Sequence, residues 1–129
     1  MASPANQFVD RLLAEAGFPN GFKLVLTGTN DRLVNDEKVL QVIAQMYARV
    51  GLQTAVEALP STAFFPRAGR LEFGFFFNSW GAGSSGGMTT MRTLIASFDR
   101  ERGFGASNRG RYSNAEVDRR MWDAFQTLE

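Results

Sequence analysis

The apolar and polar residues in the first half of the chain follow two spacings in turn. Apolar residues recur every three or four positions in segments that begin near Pro4, Asn35 and Ser61, and this spacing predicts helices. Between these segments, apolar residues are nearly contiguous over 22–27 and alternate with polar ones over 52–59, which predicts strands. The second helix has the most regular pattern, with apolar residues at Val39, Leu40, Val42, Ile43, Met46, Tyr47 and Val50.

Residues with capping side chains stand at the predicted starts of two helices. We expect Asn35 to cap the second helix, where Asp36 and Glu37 would also suit the positive end of the helix dipole. The sequence Ser-Asn-Ala-Glu from Ser113 to Glu116 has the form of a capping box and predicts a last helix. The apolar stripe expected on that helix consists of Val117, Met121, Phe125 and Leu128.

A third strand is predicted over 73–77, because the residues there are apolar on both faces apart from Gly74. This pattern is typical of a central strand that helices cover on both sides. Strands separated by helices imply crossover connections and therefore a largely parallel sheet. We expect an α/β fold, with a helix-covered, largely parallel or mixed sheet, in a single domain over 1–129.

A long polar segment follows this third strand and is the candidate functional region. Residues at the carboxyl ends of parallel strands line the usual ligand crevice of open α/β sheets. Trp80 stands at that point and could stack on a ligand or simply close the edge of the core, while the loop backbone could donate hydrogen bonds. Between 78 and 112 only a weak helical signal is present, over 88–95. The candidate ligand-binding residues are Asn78, Ser79, Trp80, Gly81, Ala82, Gly83 and Asn108.

Composition removes several function classes. The chain contains neither cysteine nor histidine, so it lacks thiolate nucleophiles, Cys-based zinc sites and the commonest general base. With 14 basic and 13 acidic residues the net charge is +1, which gives no global field toward nucleic acid or membranes. We therefore expect no catalytic residues, no metal site, no cofactor and no nucleic-acid partner.

The glycines after Trp80 leave an alternative open. Gly81, Gly83 and Gly86 have the spacing of the dinucleotide-binding fingerprint and follow a predicted strand. That site also needs a helix that opens at the third glycine and holds the pyrophosphate, and residues 87–90 look like a poor helix start. A nucleotide-binding enzyme domain is one alternative to a ligand-binding protein, and an interaction module without a small ligand is another.

Several phrases of the sequence, in order, resemble one known family. The whole chain resembles part of the large C-terminal lobe of the family 5 extracellular solute-binding proteins, the oligopeptide, dipeptide and nickel-type binding subunits of ABC importers. The matching phrases are LLAEAGFPNGF at 12–22, AQMYARVGL at 44–52, FGFFFNSWG at 73–81 and YSNAEVD at 112–118.

The resemblance implies a fold, a location and a partner. The chain would be part of one lobe of a two-lobed, type II periplasmic-binding-protein-like fold. Independently of the resemblance, we expect residues 1 and 128–129 to be additions to the natural sequence. The protein would be a periplasmic or lipid-anchored monomer whose signal peptide lies outside these residues. It would close on a small-molecule or peptide-like solute and deliver it to ABC permease subunits in the membrane.

One departure from the family pattern bears on the solute. In peptide-binding members an aspartate a few residues after the tryptophan pairs with the α-amino group of the peptide. The tryptophan corresponds to Trp80, but Ala82 and Gly83 stand where the acidic residue would fall. This argues against simple di- or oligopeptides and leaves modified peptides, opines, sugars and other solutes open.

Overall fold

The structure, a computed structural model, describes residues 4–81 and 87–127. The chain divides into two compact units, residues 1–78 and 79–129, so the single domain expected over 1–129 stays a prediction. The first unit contains α1 (Pro4–Glu15), β1 (Lys23–Thr29), α2 (Asp36–Ala48), β2 (Gln53–Leu59) and α3 (Ser61–Gly69), and the second contains α4 (Gly87–Leu94) and α5 (Ala115–Thr127).

The two strands form a parallel sheet, as predicted. β1 and β2 pair along their whole lengths, from Lys23 opposite Gln53 to Thr29 opposite Leu59, and α2 is the crossover between them. Gly28 lets α2 come close, because a Cβ there would lie 2.8 Å from both Cδ atoms of the buried Leu40 in α2, and that side chain would have to shift. The α2 helix therefore packs directly against the backbone of β1.

The segment 73–77 is not the central strand that the sequence predicts. It makes a single parallel bridge to β1, in which Phe75 O accepts from Thr27 N at 3.2 Å and Phe77 N donates to Thr27 O at 2.8 Å. The order is thus β2, β1, then 75–77, and β1 is the strand with neighbours on both sides.

Rings from two helices explain why this segment is apolar on both faces. Phe73 and Phe76 pack against Phe64 of α3, with centroids 5.3 and 6.2 Å apart. Phe75 meets Tyr47 of α2 in an edge-to-face contact at 5.7 Å. The expectation of helical cover was therefore right, while the position inferred from it was wrong.

The caps of α2 and α5 are each displaced by one residue from the predicted positions. Asn35 lies at the start of α2 in the left-handed conformation, with a φ of 59°, and its side chain makes no capping hydrogen bond. The carboxylate of Asp36 accepts the amide hydrogen of Glu37 instead, at 2.9 Å. At α5, Asn114 Oδ1 accepts from the amides of Glu116 and Val117 at 3.0 and 3.2 Å.

The predicted capping box at Ser113 is therefore wrong. The hydroxyl of Ser113 instead bonds the hydroxyl of Ser97 at 2.7 Å, and Glu116 forms ion pairs with Arg119 and Arg120. Several capping residue types adjoin one another at this helix start, so the sequence marks the start without deciding which side chain turns toward the amides.

The helix α4 begins at Gly87, so the judgement that residues 87–90 are a poor helix start was also wrong. Within α4, Thr93 Oγ1 donates to Thr89 O at 2.8 Å, which satisfies the hydroxyl but does not explain why the helix starts at Gly87. Gly83 and Gly86 of the glycine motif lie outside the described residues.

The helix α5 carries the predicted apolar stripe. Met121 is buried, and Phe104 from the preceding loop packs on Trp122 and Phe125 with centroids 5.8 and 6.2 Å apart. The last member of the stripe, Leu128, lies outside the described residues. Of the helices within 4–81 and 87–127, none has the length and apolar character to cross a bilayer.

Candidate functional site

The carboxyl ends of β1 and β2 lie at the same edge of the sheet because the strands are parallel. The loop 30–35 follows β1 at this edge and is joined to the end of β2 by a hydrogen bond from Asn30 N to Leu59 O at 3.0 Å. In the same loop, Asp31 Oδ1 accepts from both the amide and the hydroxyl of Ser61, at 2.9 and 2.5 Å. The loop, both strand ends and the start of α3 are thus connected.

Arg32 brings a positive charge to this edge beside one of the predicted site residues. Its Nη1 donates to Asn78 Oδ1 at 2.8 Å, and its Cζ lies 4.9 Å from the ring centroid of Phe65 in α3. A guanidinium has five N–H donors in a planar fork, and the contact with Asn78 uses one. The Arg32 side chain is exposed, so its guanidinium can donate two parallel N–H bonds to a carboxylate.

Sequence reasoning missed Arg32. The signal that could have found it is its place, three residues beyond the end of β1 in a parallel sheet. Three arginines of the same chain occupy ordinary surface ion pairs in α1 and α5, so residue type alone does not single Arg32 out.

The buried carboxylate of Asp36 holds the loop that carries Arg32. Its Oδ2 accepts from the amides of Arg32 and Leu33 at 3.1 and 3.2 Å and from the hydroxyl of Thr29 at 2.9 Å. Burial by itself would raise the pKa of Asp36, but these bonds and the one from the Glu37 amide together lower the pKa below its usual value. The carboxylate is therefore ionised at neutral pH.

Trp80 is half exposed and held at one point. Its indole Nε1 donates to Thr90 Oγ1 in α4 at 3.3 Å, and the residue is 43% exposed. A ring in this state can offer a face to a ligand. Ser79 is half-buried and Gly81 is exposed, whereas Ala82 and Gly83 lie outside the described residues.

Asn108 is buried, with only 5% of its surface exposed, and its side chain is fully engaged. Its amide group donates to the carbonyls of Ala96 and Tyr112 at 2.9 and 2.7 Å, and its Oδ1 accepts from the Tyr112 amide at 3.1 Å. Both amide hydrogens are used in these bonds. Asn108 therefore fixes the shape of the loop between α4 and α5.

The predicted residues thus fall into separate groups. Asn78 belongs to the first unit and contacts Arg32, while Trp80 and Asn108 belong to the second unit, each with partners of its own. Across 4–81 and 87–127, no three acidic residues are placed together to hold a metal ion.

An apolar depression of about 550 Å³ lies at the opposite end of the first unit. Its walls come from the starts of β1 and β2, from α2 and from the 74–75 segment, and it contains none of the predicted residues. The residues that line it are Phe22, Leu24, Val25, Tyr47, Leu52, Gly74 and Phe75. With almost no polar lining group, it lacks the features that orient a polar solute.

Solved structures with the same fold are periplasmic binding proteins of the type II class. The peptide complex of the ABC transporter-associated periplasmic binding protein DppA from Helicobacter pylori superposes with a TM-score of 0.74 at 24% identity, covering 89% of this chain and 22% of that protein. The dipeptide-binding protein from Pseudoalteromonas sp. SM9913 in complex with Met-Leu gives a TM-score of 0.72 at 16% identity, covering 95% of this chain and 27% of that one. The predicted α/β class is confirmed.

Comparison with curated proteins finds relatives in sequence. The glutathione-binding protein GsiB of Escherichia coli strain K12 is 32% identical over 121 residues, which cover 90% of this chain and 23% of that protein. The chain therefore spans about a quarter of the length of this relative. The match does not favour the nucleotide-binding alternative.

The family model described as bacterial extracellular solute-binding proteins, family 5 Middle, matches residues 9–101, which include β1, β2 and the edge that carries Arg32 and Asn78. Proteins of this family bind solutes outside the cytoplasm. The chain belongs to the bacterial extracellular solute-binding proteins of family 5.

Proposed function

We propose that this chain is part of the C-terminal lobe of the substrate-binding component of an ABC-type importer. The intact protein captures a peptide-like or other small solute in a cleft between two lobes and delivers it to permease subunits in the membrane. The observation that carries this proposal is the family match over residues 9–101. The protein works as a periplasmic or lipid-anchored monomer, without catalysis and without nucleic acid.

The solute contacts proposed for this chain come from two stretches of sequence. The first stretch follows the 75–77 segment and consists of Asn78, Ser79, Trp80, Gly81, Ala82 and Gly83. Trp80 offers a stacking face, and the glycine-rich backbone offers hydrogen-bond donors. Asn108 contributes indirectly, because its buried amide holds the following loop in shape.

The second stretch is the loop 30–35, whose residue Arg32 indicates which charged group the solute bears. An exposed guanidinium fixed by Asn78 and Phe65 is suited to a carboxylate. Glutathione, which the relatives' name gives as their ligand, is a peptide-like molecule with two carboxylates. We therefore propose a peptide-like solute bearing at least one carboxylate, whose amine is not recognised by an acidic side chain at positions 82 or 83.

Native mass spectrometry of the intact protein tests the proposal. The protein is isolated from an extracytoplasmic extract of its source cells without dialysis, and the masses before and after unfolding are compared. The expected result is release of a small carboxylate-bearing molecule. A protein found in the cytoplasm with a bound nucleotide would contradict the proposal and favour the glycine-loop alternative.

A further inference from the structure

Asp36 is more than a helix cap, because its carboxylate accepts hydrogen bonds from both α2 and β1. It is 2% exposed and accepts hydrogen bonds from four groups. One donor, the Glu37 amide, belongs to α2, and another, the Thr29 hydroxyl, belongs to the end of β1. Among the described residues no lysine or arginine forms an ion pair with Asp36, so neutral donors alone compensate for its burial.

The other two donors belong to the loop that carries the proposed carboxylate contact. They are the backbone amides of Arg32 and Leu33, at 3.1 and 3.2 Å from Oδ2. The carboxylate thus fixes the backbone nitrogen of Arg32. This atom is two covalent bonds from the Cβ of the side chain that contacts Asn78.

Apart from the bonds of Asn30 to Leu59 and of Asp31 to Ser61, the loop backbone is held by its bonds to Asp36. Residues 30–35 are all exposed, and Val34 is 91% exposed, so apolar burial does not hold the loop in place. Its shape depends on a few hydrogen bonds, of which those to Asp36 are the ones nearest the Arg32 backbone. A displacement of about 1 Å in a positioning element is enough to weaken a directional contact severely.

We propose that Asp36 is a positioning residue for solute binding, which fixes the loop 30–35 so that the Arg32 guanidinium meets the carboxylate of the solute. This inference rests on the proposed function, because it assigns Asp36 an effect that passes through Arg32. If Asp36 only stabilised α2, its replacement would change folding stability, and any effect on solute affinity would be the same with and without Arg32.

A double-mutant cycle on the intact protein tests this inference. Solute affinity is measured by calorimetry for the wild type, Asp36→Asn, Arg32→Ala and the double variant, with reduced glutathione and a panel of carboxylate-bearing di- and tripeptides as probes. Asp36→Ser is the second variant, since serine retains a capping oxygen for α2 but is too short to hold the loop. Glu37→Gln is the matched control, because it removes the neighbouring exposed carboxylate on the same helix turn.

If Asp36 acts through Arg32, Asp36→Asn and Asp36→Ser each weaken binding by about tenfold in the wild-type background, and by no more than Arg32→Ala does, because the loss passes through the Arg32 contact. In the Arg32→Ala background either change has little effect on affinity, while the thermal stability falls equally in both backgrounds. Equal affinity losses in the two backgrounds would overturn the positioning role of Asp36 and would leave the proposed function standing. If the wild type binds none of the probes, the proposed carboxylate-bearing, peptide-like solute is wrong, and this inference is overturned with it.

Discussion

Arg32 and Asn78 are 46 positions apart in sequence, and their side chains are joined by a hydrogen bond of 2.8 Å from Nη1 to Oδ1. The bond links the loop after β1 with the residue that follows the 75–77 segment. It holds a guanidinium at the carboxyl edge of the sheet, where open α/β folds bind their ligands. The first prediction concerns this cation.

Arg32→Ala in the intact protein should weaken binding of a carboxylate-bearing solute by about ten- to a hundredfold, since truncation removes a charge-assisted contact. Arg32→Lys should recover only part of the affinity, because an ammonium cannot form the bidentate fork. Arg11→Ala is the control, as Arg11 makes an exposed pair with Glu15 in α1. Calorimetry that finds Arg32→Ala and Arg11→Ala equally harmless would refute the assignment.

Trp80→Ala should reduce solute affinity by about three- to tenfold, the range expected for loss of one aromatic stacking contact. Trp122→Ala is the matched control, because Trp122 is equally exposed, at 42%, but packs on Phe104 within the second unit. Fluorescence or calorimetric titration of both variants measures the difference. Unchanged affinity in Trp80→Ala would remove Trp80 from the proposed site.

Gly21→Ala should destabilise the protein more than Gly17→Ala. Both glycines have positive φ values, 69° and 89°, so alanine at either position costs about 1–2 kcal/mol in backbone strain. A Cβ at Gly21 would in addition overlap the backbone carbonyl of Gly51, whereas a Cβ at Gly17 has no neighbour within 4 Å. Denaturant unfolding of the two variants isolates the steric part, and equal losses would show that the Gly21–Gly51 approach is not tight.

Glu57 should make stability depend on pH in the acidic range. The hydrogen bond from Arg67 Nη1, at 2.9 Å, is the main cause that lowers the pKa of Glu57, burial opposes it, and the Thr27 hydroxyl adds to the lowering. Because the folded-state pKa lies below the unfolded value of about 4.3, the contribution is complete above that pH and is lost as the pH falls through the folded-state value.

The comparison is between the wild type and Glu57→Gln, which does not titrate and keeps one carbonyl oxygen to accept the bond from Arg67. Between pH 6 and about pH 3 the wild type should lose more unfolding free energy than the variant. Glu101→Gln, which removes an exposed carboxylate, serves as the control and should follow the wild type. Parallel pH curves for the wild type and Glu57→Gln would contradict the role of the Arg67 bond.

Helices and strands were predictable where a local pattern decides them. The spacing of Val39, Leu40, Ile43 and Tyr47 placed α2, and alternation placed β2, because burial of one face requires that periodicity wherever the element packs. The parallel sheet followed from the order of elements, since a helix between two strands makes a crossover. Trp80 and Asn78 were placed after the third strand by the same reasoning.

What the sequence by itself determined is therefore the α/β class, the order of the elements and the region after residue 77 as a candidate site. Tertiary structure decided which strand is central. The apolar pattern of 73–77 reflects packing against Phe64 and Tyr47 and does not indicate how many strands are hydrogen-bonded to the segment. Tertiary structure also decided that Asp36 holds the loop backbone and that Arg32 meets Asn78. Those contacts depend on how loops and strand ends meet in space, which periodicity along the chain does not encode.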